Sequence, residues 1–174
     1  MSPTVAAVVL AAGEATRFGA PKQRLLLPRV LERLARAPVD EIVVVEGAYA
    51  LDPCGSEPQA PRCRIVQCPD WDRGPGSSLH CGLRALEADV EAAVVVLADG
   101  PDLAPEAVAR VLDVWRAEGG VVAASYAGAR GHPLVVGRAD WDDVPDEGLH
   151  AHAVRLVPCD DLGAPGDVDT PEDW

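Results

Sequence analysis

Two glycines, one arginine and the chain's single lysine (Gly13, Arg17, Gly19 and Lys22) fall within ten residues, directly after the apolar run Val5 to Ala11. Glycine lets a backbone approach a ligand closely, and successive N–H groups in such a loop form a nest for phosphate oxygens. Arg17 and Lys22 add the positive charge that a polyphosphate calls for. Neither GxxxxGK[ST] nor GxGxxG is present, so the plain alternative is a glycine-containing strand-to-helix turn that carries exposed bases.

A second stretch, Val96-Leu-Ala-Asp99-Gly-Pro-Asp102, sets a carboxylate directly after the most apolar run of the chain. Magnesium takes hard oxygen donors and keeps several waters, so one or two carboxylates plus phosphate oxygens suffice to hold it. The same residues also suit a turn in which Asp102 prepares the next helix. Gly74-Pro-Gly76-Ser77-Ser78-Leu79 opens a helix with Ser77 or Ser78 as the expected N-cap, and a helix start exposes donors to a base carbonyl or phosphate. Gly131-His132-Pro133 carries one histidine, a pocket candidate or a structural residue. Asp167-Val-Asp169-Thr-Pro-Glu-Asp173 reads by itself as a Thr-capped helix start with acids near the positive end of its dipole.

These stretches need a frame. Short apolar runs rich in β-branched residues recur at Val5 to Ala11, Glu41 to Val45, Ala92 to Ala98, Val121 to Ser125 and Leu134 to Val136, with weaker ones at Arg64 to Gln67 and Val154 to Val157. They read as buried parallel strands. Between them, amphipathic patterns predict helices over Pro28 to Ala37, with proline in the first turn, Ser77 to Ala88, and Pro105 to Glu118, which stops at Gly119-Gly120. Strands alternating with helices imply βαβ units and one mostly parallel sheet covered on both faces. In such sheets ligands bind beyond the carboxyl ends of the strands, where these stretches fall. No repeat or long linker divides residues 1–174, which read as a single domain.

Composition narrows the function. The 174 residues carry a formal charge of −13 and are 48% hydrophobic. Eleven Asp or Glu against one base, Arg155, fall between Asp140 and Trp174. A nucleic-acid grip needs a basic face, which this balance excludes. No apolar run reaches the ~20 residues that span a bilayer, and no signal-type leader is evident, so a cytoplasmic protein without membrane association is expected. Five cysteines with no CxxC pair read as free thiols in a reducing compartment.

The motifs carry a resemblance. Leu10, Ala11, Ala12, Gly13, Arg17, Gly19 and Lys22 match the LAAGxxxRxGxxK opening of the MobA/MocA-like NTP transferases, the nucleotidyltransferases of molybdenum cofactor and sugar phosphate activation. Asp99 sits in a segment similar to LADxP. Residues 74–83 resemble G-x-SSL-xx-GL, the base-pocket segment that includes Gly76, Ser77 and Ser78, and Gly131-His132-Pro133 resembles GHP. Asp167 to Asp173 matches D-[IV]-D-T-P-E-D, and the five segments stand in the family's order.

The resemblance implies a three-layer Rossmann-like α/β domain of the nucleotide-diphospho-sugar transferase type. It further implies transfer of NMP from an NTP (CTP first, GTP next) to a phosphorylated acceptor, with molybdopterin cofactor leading, and Mg²⁺-dependent release of pyrophosphate. Arg17 and Lys22 would hold phosphates. Asp99 with Asp167 or Asp169, the latter preferred, would hold the metal, and Gly131 and His132 would line the substrate pocket. A sugar-1-phosphate or another small metabolite is the alternative acceptor. The turn usual after the signature lysine and the GDEGAR-like element near Asp146 are both shortened. This motivates a reading from another class, a non-catalytic nucleotide- or cofactor-binding partner of a molybdoenzyme.

Overall fold

The computed structural model describes residues 2–13, 22–51, 61–150, 152–168 and 172. Seven strands form one sheet: β1 (Thr4–Ala11), β2 (Glu41–Glu46), β3 (Arg62–Gln67), β4 (Val90–Leu97), β5 (Val121–Tyr126), β6 (Ala129–Gly137) and β7 (Arg155–Pro158). Their order is β3-β2-β1-β4-β6-β5-β7. Only β6 runs against its neighbours among the described strands. That reversal decides where the site can form, because it brings the start of β6 to the same sheet edge as the ends of the others. Ser125 near the end of β5 pairs with Arg130 near the start of β6. Leu10 pairs with both Val45 and Leu97, so β1, β2 and β4 leave the sheet level with one another.

Strand alternation builds a core on each face. On one face, Val5, Ala7, Val9 and Ala11 pack with α1 (Lys22–Leu34) and α3 (Pro105–Glu118) through Leu27, Val30, Leu34, Val108 and Leu112. On the other, Ala6 and Val8 meet α2 (Pro75–Arg84) through Leu79 and Leu83, joined by Trp141 and Leu149. The result is the expected three-layer α/β domain with a mostly parallel sheet. Among the described residues, no helix is long and apolar enough to cross a membrane.

Two helix starts differ from the sequence reading. Helix α1 begins at Lys22, with Pro28 in its interior rather than its first turn. Proline there removes the donor for the Arg24 carbonyl, but Arg24 and Pro28 are both exposed, so water can serve that oxygen. Burial of Leu26, Leu27, Val30 and Leu34 drives the longer helix. Helix α2 begins two residues before Ser77, with Pro75 in its first turn and Gly74 as N-cap. Neither Ser77 nor Ser78 caps it; both lie buried in the first turn.

The cysteine reading is corrected as well. Cys68, just past β3, is disulfide-bonded to Cys81 on α2, with Cα atoms 5.7 Å apart. Cys63 is also disulfide-bonded, whereas Cys159 is free and buried. The pairing joins a strand end to a helix packed back over the sheet, a proximity that a sequence separation of 13 does not advertise.

Gly82 explains how closely α2 approaches. A Cβ at this position would lie 2.5 Å from Val8 Cγ1 and 3.0 Å from Val45 Cγ2. Both neighbours are β-branched side chains of central strands and cannot swing away. Gly82→Val is expected to destabilise the protein by about 1–3 kcal/mol through overpacking, read as a lower denaturant midpoint at unchanged m-value.

Candidate functional site

The strand ends carry the chemistry. Strand β4 runs out into Ala98 and Asp99, and the Ala98 N–H donates to Leu10 O at the end of β1 (3.1 Å). The segment after β7 folds back over this turn: Val168 N–H donates to Asp99 O (3.1 Å) and Asp102 N–H to Pro165 O (2.9 Å). Val168 itself is buried, which anchors the segment. Gly100 sits beneath it, where a Cβ would come within 3.0 Å of Pro165 Cβ.

Lys22 enters from the first turn of α1. Its Nζ lies 3.1 Å from Asp99 Oδ2 and donates to Val168 O at 2.6 Å. The lysine is only 6% exposed, while the Asp99 side chain keeps 26% of its surface. Three segments distant in sequence thus converge on one ammonium. A buried cation is tolerated only when paired and hydrogen-bonded, and both oxygens supply that here. The next residue, Gln23, donates through Nε2 to Gly13 O (2.9 Å) and so ties the end of β1 to α1. Its Oε1 is buried without a partner among the described residues.

Of the remaining sequence candidates, Leu10, Ala11, Ala12 and Gly13 occupy the end of β1 and its exit. Gly76, Ser77 and Ser78 form the first turn of α2, at the same sheet edge on the β3-β2-β1 side. Gly76 is there for close approach: a Cβ would overlap the Pro145 carbonyl oxygen at 1.8 Å, and Gly76 N–H donates to Asp146 O (2.9 Å). Asp167 lies next to the anchored Val168. Arg17, Gly19 and Asp169 lie outside the described residues.

On the other side of Asp99, towards β6 and β5, a cavity of about 460 Å³ opens. Val96, Leu97, Leu103 and Pro165 give it apolar walls, and Gly131, His132, Arg130 and Asp167 line it too. Gly131 and His132 reach this edge because β6 runs in reverse. Tyr126 packs against Gly131 and its hydroxyl donates to His132 O (2.8 Å). Burial pushes the Tyr126 hydroxyl up to about 12.

Burial, reinforced by the Arg130 charge, lowers the His132 pKa from 6.5 to about 4, against the opposing pull of Asp99. His132 is therefore neutral at pH 7. Because its folded pKa lies below its unfolded one, the stability it contributes is fully present above about pH 6.5. It is lost as pH falls towards 4, on the order of 1 kcal/mol per pH unit. Denaturant midpoints measured from pH 7 to 4 should fall more steeply for wild type than for His132→Gln.

A model of the MobA-like NTP transferase domain matches residues 7–159. The chain belongs to that family. Purine catabolism protein PucB of Bacillus subtilis is 28% identical, over 99% of this chain and 95% of its own. Among solved structures, Rv0371c from Mycobacterium tuberculosis H37Rv superposes with a TM-score of 0.78 at 26% identity, covering 99% of this chain and 96% of that one. Rv0371c has also been solved in complex with manganese, and that structure superposes at 0.72 over 98% and 95% of the two chains, again at 26% identity. A nucleotidyl transferase from Methanothermobacter thermautotroptrophicus, 20% identical, shares the fold with a TM-score of 0.72 over 99% and 94% of the chains.

As a MobA-like NTP transferase domain, the chain is a nucleotidyltransferase by family, and Lys22 and Asp99 stand in two of the motifs that carried the resemblance. Sequence reasoning missed three contributors. The Val168 carbonyl is a backbone group that no residue type reveals. Gln23 carries no signal beyond following the lysine, and Tyr126 is tied to His132 only through the turn between β5 and β6.

Proposed function

We propose that the protein transfers a nucleotidyl group from an NTP, CTP first and GTP next, to a phosphorylated acceptor, with molybdopterin cofactor the leading candidate. The observation that carries this reading is the Lys22–Asp99–Val168 cluster, set between the α2 start on one side and the 460 Å³ cavity on the other. A nucleotide would lie on the α2 side and an acceptor in the cavity, so that the two meet at Asp99. A phosphate oxygen of the acceptor attacks the α-phosphorus in line. The new P–O bond forms as the bond between the α-phosphorus and its bridging oxygen breaks, and pyrophosphate leaves with that oxygen.

This chemistry asks the protein for positioning and charge neutralisation rather than for a nucleophile. Lys22, with Arg17, stabilises the charge that develops on departing pyrophosphate. The donor set suits a divalent cation. Asp99 presents a hard carboxylate oxygen that stays a quarter exposed, the donor type such a cation takes. Asp99 with Asp169 or Asp167 would hold Mg²⁺, which when bound neutralises phosphate oxygens and needs only one or two carboxylates.

The test is a panel. Thermal shift with CTP, GTP, ATP and UTP, each with Mg²⁺, identifies the nucleotide, and pyrophosphate release with molybdopterin and with sugar-1-phosphates identifies the acceptor. Stabilisation by CTP followed by release with molybdopterin is expected. Stabilisation without release for every acceptor would overturn the catalytic reading in favour of a nucleotide-binding partner.

A further inference from the structure

Arg130 stands on β6 two residues before His132, half-buried in the wall of the cavity. Two other half-buried arginines carry partners: Arg64 bonds to Glu41 and the Ala85 carbonyl, and Arg110 to Asp161 and the Pro158 carbonyl. Arg130 has neither an ion pair nor a hydrogen bond among the described residues. Burial holds its pKa below the usual guanidinium value, with no acid to offset it. Asp167, the carboxylate lining the same cavity, already has a partner. The adjacent His132 is neutral and adds no second charge.

A half-buried guanidinium whose five donors meet no acceptor in the protein gives up part of its hydration without return. It becomes an asset when an oxyanion arrives, since guanidinium meets two oxygens of a phosphate through paired, charge-assisted hydrogen bonds. Much of the lining, Val96, Leu97, Leu103, Ala129 and Pro165 with the Tyr126 ring, offers carbon surface and suits the body of a small molecule rather than a sugar rich in hydroxyls. We propose that Arg130 is the acceptor-recognition residue, pairing with the phosphate of an acceptor whose body is apolar or planar and fills the cavity. This rests on the nucleotidyltransferase reading for the word acceptor, while the anion site itself rests on the cavity alone.

Phenyl phosphate is a fitting probe, with phenol and inorganic phosphate as its two halves. Each is titrated calorimetrically into wild type, Arg130→Met and Arg130→Lys, with CTP and Mg²⁺ saturating so that the nucleotide side is filled. Wild type should bind phenyl phosphate more tightly than either half. Arg130→Met should weaken phenyl phosphate binding tenfold or more while leaving phenol binding unchanged, and Arg130→Lys should fall between them. CTP affinity should not move. Because Arg130 has no partner to lose, Arg130→Met should melt no lower than wild type, which separates lost recognition from lost structure. Equal phenyl phosphate affinity in wild type and Arg130→Met, or no binding to wild type, would overturn the proposal. Failure of every NTP to bind wild type, with Arg130-dependent phenyl phosphate binding retained, would instead sink the nucleotidyltransferase reading and leave the anion site standing.

Discussion

Asp99→Ala is expected to lower pyrophosphate release on the order of 10³-fold and to leave the residual rate insensitive to Mg²⁺. The carboxylate occupies the one place where β4 delivers a charged group to the sheet edge, beside the end of β1 and under the segment anchored by Val168. Its side chain meets Lys22 through Oδ2 and stays a quarter exposed, so an oxygen can reach an incoming nucleotide and its cation. Losing a preorganised charge of this kind costs about 10²–10³-fold by itself, and on the proposed reading the loss of a carboxylate that would hold the cation adds to it. Asp99→Asn separates shape from charge. It preserves the turn, whose backbone bonds to Val168 and Leu97 involve no side chain, yet it should be nearly as inactive. Circular dichroism and melting of both variants check that the fold survives. A wild-type rate in purified Asp99→Ala would sink the assignment of this carboxylate and, with it, the catalytic reading of the site.

The legibility of this protein in its sequence follows a physical division. Helix α3 was readable to its ends because Pro105 opens it and Gly119 closes it, donating to Trp115 O at 2.7 Å in a left-handed conformation. Helix α1 was not, because Pro28 mimics a helix start and only tertiary burial of Leu26 and Leu27 shows that the helix begins earlier. The strands were readable from their apolar runs, but the reversal of β6 was not, since Leu134 to Val136 looks the same in either direction. At the site, Lys22 and Asp99 were readable as kinds of chemistry because each follows a strand or loop that must end at the ligand-binding edge. Their direct pairing depends on how two distant turns stack, and the Val168 carbonyl that completes it has no sequence signature. Arg130 was hidden among fourteen arginines; its place in the cavity wall without a partner there distinguishes it, and that is visible only in three dimensions.

Lys22→Met should reduce kcat by about 10²-fold or more while leaving the response to Mg²⁺ concentration intact. Among the described residues the ammonium is the one positive partner of Asp99 and is nearly enclosed, so its removal is not made good by a neighbouring base there. Arginine should not rescue it, because a planar fork on a longer stem cannot occupy the compact place between Asp99 Oδ2 and Val168 O. Single-turnover kinetics should place the loss in the chemical step more than in nucleotide binding, since departing pyrophosphate carries more charge at its bridging oxygen than bound triphosphate does. The double variant Asp99→Ala with Lys22→Met decides whether the two act together. Groups that work as one unit give strongly non-additive losses, so the pair should cost little more than Asp99→Ala alone. Full additivity of the two losses would mean that the ion pair is a structural clamp on the Val168 segment and that the phosphates are held elsewhere.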